Sequence, residues 1–241
     1  MLFWTRWDPK KPLGPFIERL EWLGEGLRVG SLTPIFSNIL KYSLPHLLPF
    51  SPTFTPSQSL LKYYYMGADK NIFSRFNHNK VFLETGSFLG GGINQAYHAG
   101  YRNIISIELS DHYYEHCKNL YKNHSSFITL YHGDSGVILG DIISKIDQPI
   151  TFWLDGHYSG GVENNIPETA GAGLESPLYR ELEFISLHPI KTHTILIDDV
   201  EGRQDIEKLK EKILSINSSY KFEFATPKGF RENSVLVAFT P

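Results

Sequence analysis

Between Val81 and Gly92 the chain reads VFLETGSFLGGG: three apolar residues, an acid, and then glycines at 86, 90, 91 and 92. A short continuous apolar run that stops at turn residues is the pattern of a buried parallel strand. Gly86 admits backbone angles that a side chain forbids, and Gly90 to Gly92 let another group approach the opening turn of a helix. The expectation is a strand, a tight turn and a helix start with backbone exposed to a ligand. For the motif taken alone, a glycine-rich connection without a ligand is the alternative.

Beyond Gly92 the chain continues to alternate between helix and strand patterns. A helix through Gln95, Ala96 and Ala99 stops at Gly100, and Ile104, Ile105 and Ile107 make a second strand. Ser110 is placed to cap a helix whose buried stripe is Tyr113, Cys117, Leu120 and Tyr121. Strand patterns over Phe127 to Tyr131, Ile150 to Leu154 and Thr194 to Ile197 are separated by helical faces at Leu139, Ile142, Ile143 and Ile146 and at Leu178, Leu182 and Ile185. After a helix at Ile206, Leu209, Ile213 and Ile216, two alternating runs, Tyr220 to Phe224 and Ser234 to Phe239, read as a hairpin. Such alternation predicts an α/β, Rossmann-like fold: a mostly parallel sheet with right-handed crossovers, closed at one edge by a pair containing one antiparallel strand.

Residues 1–70 differ. Prolines at 9, 12, 15, 34, 45, 49, 52 and 56 break the segment into short pieces, with one helix expected near Phe16 to Glu25. Its apolar content predicts a helical, proline-rich extension or lid against the main domain, 71–241. Tyr63, Tyr64 and Tyr65 either line an acceptor pocket or fill the junction.

Charge narrows the function classes. A net charge of -3 argues against a nucleic-acid binder that works through a broad basic surface. The single cysteine, Cys117, excludes an intrachain disulfide framework and a cysteine zinc cluster, which makes a cytoplasmic location the simplest reading. No apolar run approaches the roughly 18 residues of a membrane span, and Met1 to Lys11 lacks the apolar centre of a signal peptide.

The chemistry sits at the strand ends. In an open parallel sheet ligands bind beyond the carboxyl ends of the strands, where strand order reverses. Five successive strands end in Glu84, Glu108, Asp134, Asp155 and Asp198-Asp199. Any one acid there reads equally well as a helix cap; together they imply a cation, ribose hydroxyls or an adenine amine sharing the rim. Glu108 lies roughly 20 residues beyond Gly86, a separation suited to an acid that grips ribose hydroxyls. Phe88 occupies the position where a dinucleotide fingerprint needs a glycine for the pyrophosphate, and Glu84 would repel that group. An adenosyl ligand with an amine and a sulfonium suits the same residues, which makes S-adenosylmethionine (SAM) the expected cofactor.

Glu84-Thr85-Gly86-Ser87-Phe88-Leu89-Gly90-Gly91-Gly92, Glu108 and Gly133-Asp134-Ser135 resemble the successive cofactor motifs of class I SAM-dependent methyltransferases, whose seven-stranded sheet the closing hairpin also suits. Within that superfamily, Asp155-Gly156-His157-Tyr158-Ser159-Gly160-Gly161, Ser176-Pro177, Glu181-Leu182 and Ile197-Asp198-Asp199 are similar to a DGHYSGG-containing group and, more distantly, to the metal-dependent macrolide sugar O-methyltransferases. The resemblance implies SAM contacts from Glu84, Thr85, Gly86, Ser87, Gly91, Glu108, Leu109, Asp134, Ser135 and Asp155. It also implies a magnesium ion on Asp155, Asp198 and Asp199.

Methyl transfer needs an acceptor oxygen held in line behind the methyl and a group to take its proton. His157, with Asp155, is the candidate catalytic pair; a loop histidine bonded to a carbonyl is the alternative. His188 and His193 fall at helix and strand edges where nothing is expected to converge. Arg203 reads as a binder of an acidic group or as a surface arginine, and Glu163, Asn164, Asn165 and Thr169 as contacts for a hydroxylated acceptor. The reading is thus a SAM-dependent O-methyltransferase for a small polyhydroxylated molecule, a sugar or glycan residue, in a chain with no nucleic-acid partner and room for homo-oligomers. A non-catalytic adenosyl-binding module and a nicotinamide-dependent oxidoreductase are the competing readings.

Overall fold

A computed structural model describes residues 67–157, 176–202 and 204–241. The expectations for residues 1–66, for the loop contacts at 163–169 and for Arg203 lie outside the described residues. After α1 (Lys70–Ser74), the order is β1 (Val81–Thr85), α2 (Gly91–His98), β2 (Ile104–Glu108), α3 (Asp111–Leu120), β3 (Ile128–His132), α4 (Ser135–Ile143) and β4 (Ile150–Leu154). It continues with α5 (Leu178–Leu187), β5 (Thr194–Ile197), α6 (Ile206–Ile216), β6 (Lys221–Ala225) and β7 (Val235–Phe239).

These strands form one seven-stranded sheet in the order β3-β2-β1-β4-β5-β7-β6. The first five are parallel, and β7 runs antiparallel to both β5 and β6. This is the Rossmann-like α/β architecture expected from the alternation, with the single antiparallel strand seated inside the edge pair. β1, β2 and β4 are buried at every position, as strands covered on both faces must be. β3 lies at the sheet edge, and of its residues Ile128 alone is buried.

Alternation of side chains sends each strand into two cores. On one face Leu83, Phe152 and Ile195 meet Leu139 and Ile142 of α4, Leu182 and Ile185 of α5, and Leu209 and Ile213 of α6. On the other, Trp153 is fully buried, with Phe73 edge-on to it at 5.1 Å and 67°, while Phe73 also packs on Phe82 at 4.9 Å. Trp153 belongs to this second core. Cys117 and Tyr113 of α3 are buried as the helical stripe requires, and Ser110 caps that helix.

His188 and His193 depart from the expectation of isolated edge residues, because their rings meet. The Ile150 amide donates to His193 Nδ1 at 3.0 Å, so the proton of that ring sits on Nε2, which donates to His188 Nδ1 at 3.1 Å. His188 Nε2 then donates to the carbonyls of Ile146 and Ile143 at 2.9 and 3.1 Å. Two neutral imidazoles thereby join the end of α4, the start of β4, the end of α5 and the approach to β5. Sequence spacing does not reveal the pair, because the bonds run between loops at the sheet's amino end.

Burial, and then the neighbouring His188, lowers the pKa of His193 from 6.5 to about 3. The unfolded chain takes up this proton near pH 6.5 and the folded chain only near 3, so the stabilisation is complete above 6.5 and shrinks as pH falls through that window. The expected slope is up to about 1.4 kcal/mol per pH unit. Urea unfolding at pH 7 and pH 5 should show a smaller acid loss in His193→Gln than in the parent chain.

Candidate functional site

Strand order reverses between β1 and β4, and the end of β1 is stitched to the residue after β4. The Asp155 amide donates to the Thr85 carbonyl at 3.2 Å and to Thr85 Oγ1 at 3.3 Å. Gly86 comes next at φ 86°, and a Cβ there would stand 2.5 Å from the Asp155 carbonyl oxygen. Left-handed backbone and a close backbone neighbour both demand glycine at this crossing. Gly86→Ala should therefore lower stability by about 2 kcal/mol or more, measured by urea unfolding.

Glu84, one residue before the strand end, is 1% exposed. Its carboxylate accepts from Ser106 Oγ at 2.7 Å and from the Ile93 amide in the first turn of α2, and a Cβ on Gly92 would collide with it. A helix N-terminus is an anion seat, the one a pyrophosphate takes in dinucleotide folds, and here a carboxylate of the chain occupies it. Burial above all, and then Glu108, raise the Glu84 pKa to about 8 against the bond from Ser106. Ser87 shares a short hydrogen bond with Ser106, and Gly91 opens α2 in a buried position.

Phe88 stands at φ 46° in the place of the missing glycine, and its ring packs on Tyr113 at 4.7 Å. The Phe88 amide donates to Glu108 Oε2 at 2.8 Å and the Ser110 amide to Oε1 at 2.7 Å. Glu108 is thus held from both sides at the end of β2, and burial raises its pKa against the pull of these amides. Leu109 beside it is 39% exposed, an apolar surface on the rim.

Asp134 caps α4, accepting from the Gly136 amide at 2.8 Å, and its other oxygen meets Arg180 Nη1 at 3.3 Å. Ser135 turns inward, and its hydroxyl donates to Glu181 Oε1 at 2.5 Å. Glu181, 1% exposed, also takes a hydrogen bond from Thr85; burial raises its pKa to about 7. Strand-end counting assigns this glutamate no role, since it lies in mid-helix. A signal was nonetheless present: position 181 lies inside the apolar stripe Leu178, Leu182 and Ile185, where an acid is out of place in an ordinary amphipathic helix.

The acids after β4 and β5 surround one histidine. His157 Nδ1 stands 3.3 Å from Asp155 Oδ1, and Nε2 stands 3.3 Å from Asp199 Oδ2. Asp199 is at φ 50°, a turn that aims its carboxylate back at the ring. Asp198 is buried against Gly67, where a Cβ would collide with it. Leu154, Gly156, His157, Glu181, Asp198 and Asp199 line a single recess. The expected magnesium triad does not fit this arrangement. An imidazole occupies the space between Asp155 and Asp199, Asp198 packs on the Gly67 backbone, and among the described residues no group of three or more His, Cys, Asp or Glu is gathered for a metal.

Among the described residues no helix is long and apolar enough to cross a membrane. No family model matches the chain, and no curated protein matches it. Solved structures do resemble it at low identity. They include a methyltransferase from Geobacter sulfurreducens (13% identity, 93% of this chain and 96% of that one, TM-score 0.49). The O-methyltransferase TomG from Streptomyces achromogenes, in complex with SAM, shares 12% identity over 91% of this chain and 94% of its own, with a TM-score of 0.48. An O-methyltransferase from Bacillus cereus in complex with SAH shares 11% identity over 92% and 96%, also at 0.48. These are likenesses of chain path, and the functional reading rests on this chain's own residues.

Proposed function

We propose that the chain is a SAM-dependent O-methyltransferase acting on a small polyhydroxylated acceptor, a sugar or glycan residue. The observation that carries this reading is the convergence of Glu84, Glu108, Glu181 and Asp155 on the crossing of β1 and β4. Three buried carboxylates with raised pKa values, Glu84, Glu108 and Glu181, together with the half-buried Asp155 beside the glycine turn, suit a ligand that is cationic at one end and bears hydroxyls at the other. The same rim opposes a pyrophosphate, because Glu84 already fills the helix seat that a dinucleotide needs.

SAM, when bound, supplies an electrophilic methyl on a sulfonium. The acceptor oxygen bonds to that methyl carbon while the carbon–sulfur bond breaks with its electron pair going to sulfur, and the hydroxyl proton must leave. His157 is the residue proposed to take it. Asp155, the less exposed of its two partners, holds the proton on Nδ1, which leaves Nε2 as the basic nitrogen. The hydroxyl reaches Nε2 by displacing the more exposed Asp199, whose carboxylate then accepts from a second acceptor hydroxyl. No step here passes through magnesium, since the carboxylates are engaged elsewhere. Glu84, Glu108 and Leu109 would hold the adenosyl end, with Asp134 beside them.

The test is transfer of labelled methyl from SAM to a panel of monosaccharides and oligosaccharides, with and without chelator. Labelled product from at least one hydroxylated acceptor, formed in chelator, is expected. SAM binding with no transfer to any acceptor favours the non-catalytic adenosyl module, and transfer only with added magnesium would mean that His157 leaves its place between the aspartates.

A further inference from the structure

Among the described residues, the buried rim acid Glu181 is held by two hydroxyls, those of Ser135 and Thr85. Asp155 and Asp199 face the His157 ring, Asp134 faces Arg180, Glu108 is fixed by loop amides, and Glu84 lies on a helix N-terminus. Arg180, the neighbour in sequence, turns outward to Asp134 and packs over Gly136. Among the described residues no cation reaches Glu181 at ion-pair distance; Ser135 and Thr85 hold it instead. Isolating a carboxylate in this way costs stability that a neutral side chain of the same shape would not.

Its placement gives the cost a use. Oε1 lies over Gly156, where a Cβ would stand 3.2 Å from it, and the carboxylate lines the recess shared with His157 and Asp199. Through Thr85 it is linked to the Asp155 amide, and through Ser135 to the turn after β3. We propose that Glu181 is a specificity-determining residue of the cofactor site: its charge selects the cationic methyl donor over the neutral thioether product, S-adenosylhomocysteine (SAH). This rests on the SAM-dependent reading above. Loss of the positive charge on transfer would weaken the hold on product at the moment it must leave.

Calorimetric titration with SAM and with SAH, on the parent chain and on Glu181→Gln and Glu181→Asp, tests the proposal, alongside the thermal midpoint of each apo chain. In Glu181→Gln the affinity for SAM should fall at least tenfold and that for SAH less than threefold, with a midpoint at pH 8 that is unchanged or higher. Glu181→Asp keeps the charge while shortening the reach to the hydroxyls, and should keep the preference for SAM. Equal losses for the two ligands, no loss for either, or a SAM loss that tracks a lowered midpoint would each overturn the assignment and leave Glu181 a structural clamp. A parent chain that binds neither nucleoside overturns the SAM reading itself, a result distinct from an unchanged preference in the variant.

Discussion

Replacing His157 by Gln is expected to lower methyl transfer by roughly 10²- to 10⁴-fold, the range for loss of a positioned general base, while SAM affinity changes less than threefold. The separation comes from the geometry. His157 lies between Asp155 and Asp199 on the acceptor side of the recess, whereas the proposed adenosyl contacts lie along Glu84, Glu108 and Leu109. Asp155→Asn should lower the rate in the same direction, because an amide can donate as well as accept and no longer fixes the ring tautomer. Single-turnover rates with calorimetric SAM affinities for both variants check the pair. Parallel losses of binding and rate would move His157 out of the base role and into the cofactor pocket.

A second large effect concerns protons. Glu84 is raised to about 8 and Glu181 to about 7, each mainly by burial, against an ordinary 4.5. The folded chain holds these protons more tightly than the unfolded one. Their contribution to stability is therefore complete below about pH 4.5 and is lost as pH rises through 7 and 8. A cationic ligand favours the ionised carboxylates, so SAM binding below pH 7 should release protons, and affinity should rise with pH by up to tenfold per unit for each coupled group before levelling above 8. Titration in buffers of different ionisation enthalpy counts the protons. Glu84→Gln should reduce that count and remove part of the alkaline loss of stability; a binding constant flat from pH 6 to 8.5 would contradict the linkage.

Most of the sheet was legible in the sequence because its signals are local. Ile150 to Leu154 and Thr194 to Ile197 coincide with the observed strands, and the hairpin runs are displaced by a single residue at their starts. Strand ends were legible too, since an acid that closes an apolar run is visible without coordinates. Spacing alone does not encode which acids face which partners. Glu181 and Ser135 are far apart in sequence, yet they meet because α4 and α5 pack side by side on one face. The His188 and His193 rings meet for the same reason, across loops whose geometry no periodicity encodes. The grouping of Asp155, Asp198 and Asp199 as one ligand set comes from the motif resemblance and not from their spacing. The left-handed turn at Asp199 and the packing of Asp198 on Gly67 divide them.

If the crossing of β1 and β4 is the seat of an adenosyl methyl donor, calorimetric titration of the full chain with SAM, set beside the same titration with NAD⁺ and NADH, will separate it from every competing ligand class. One molecule of SAM bound per chain, with that binding lost in Glu108→Ala and no heat from either dinucleotide, is the expected result. Saturable dinucleotide binding with none for SAM would contradict it.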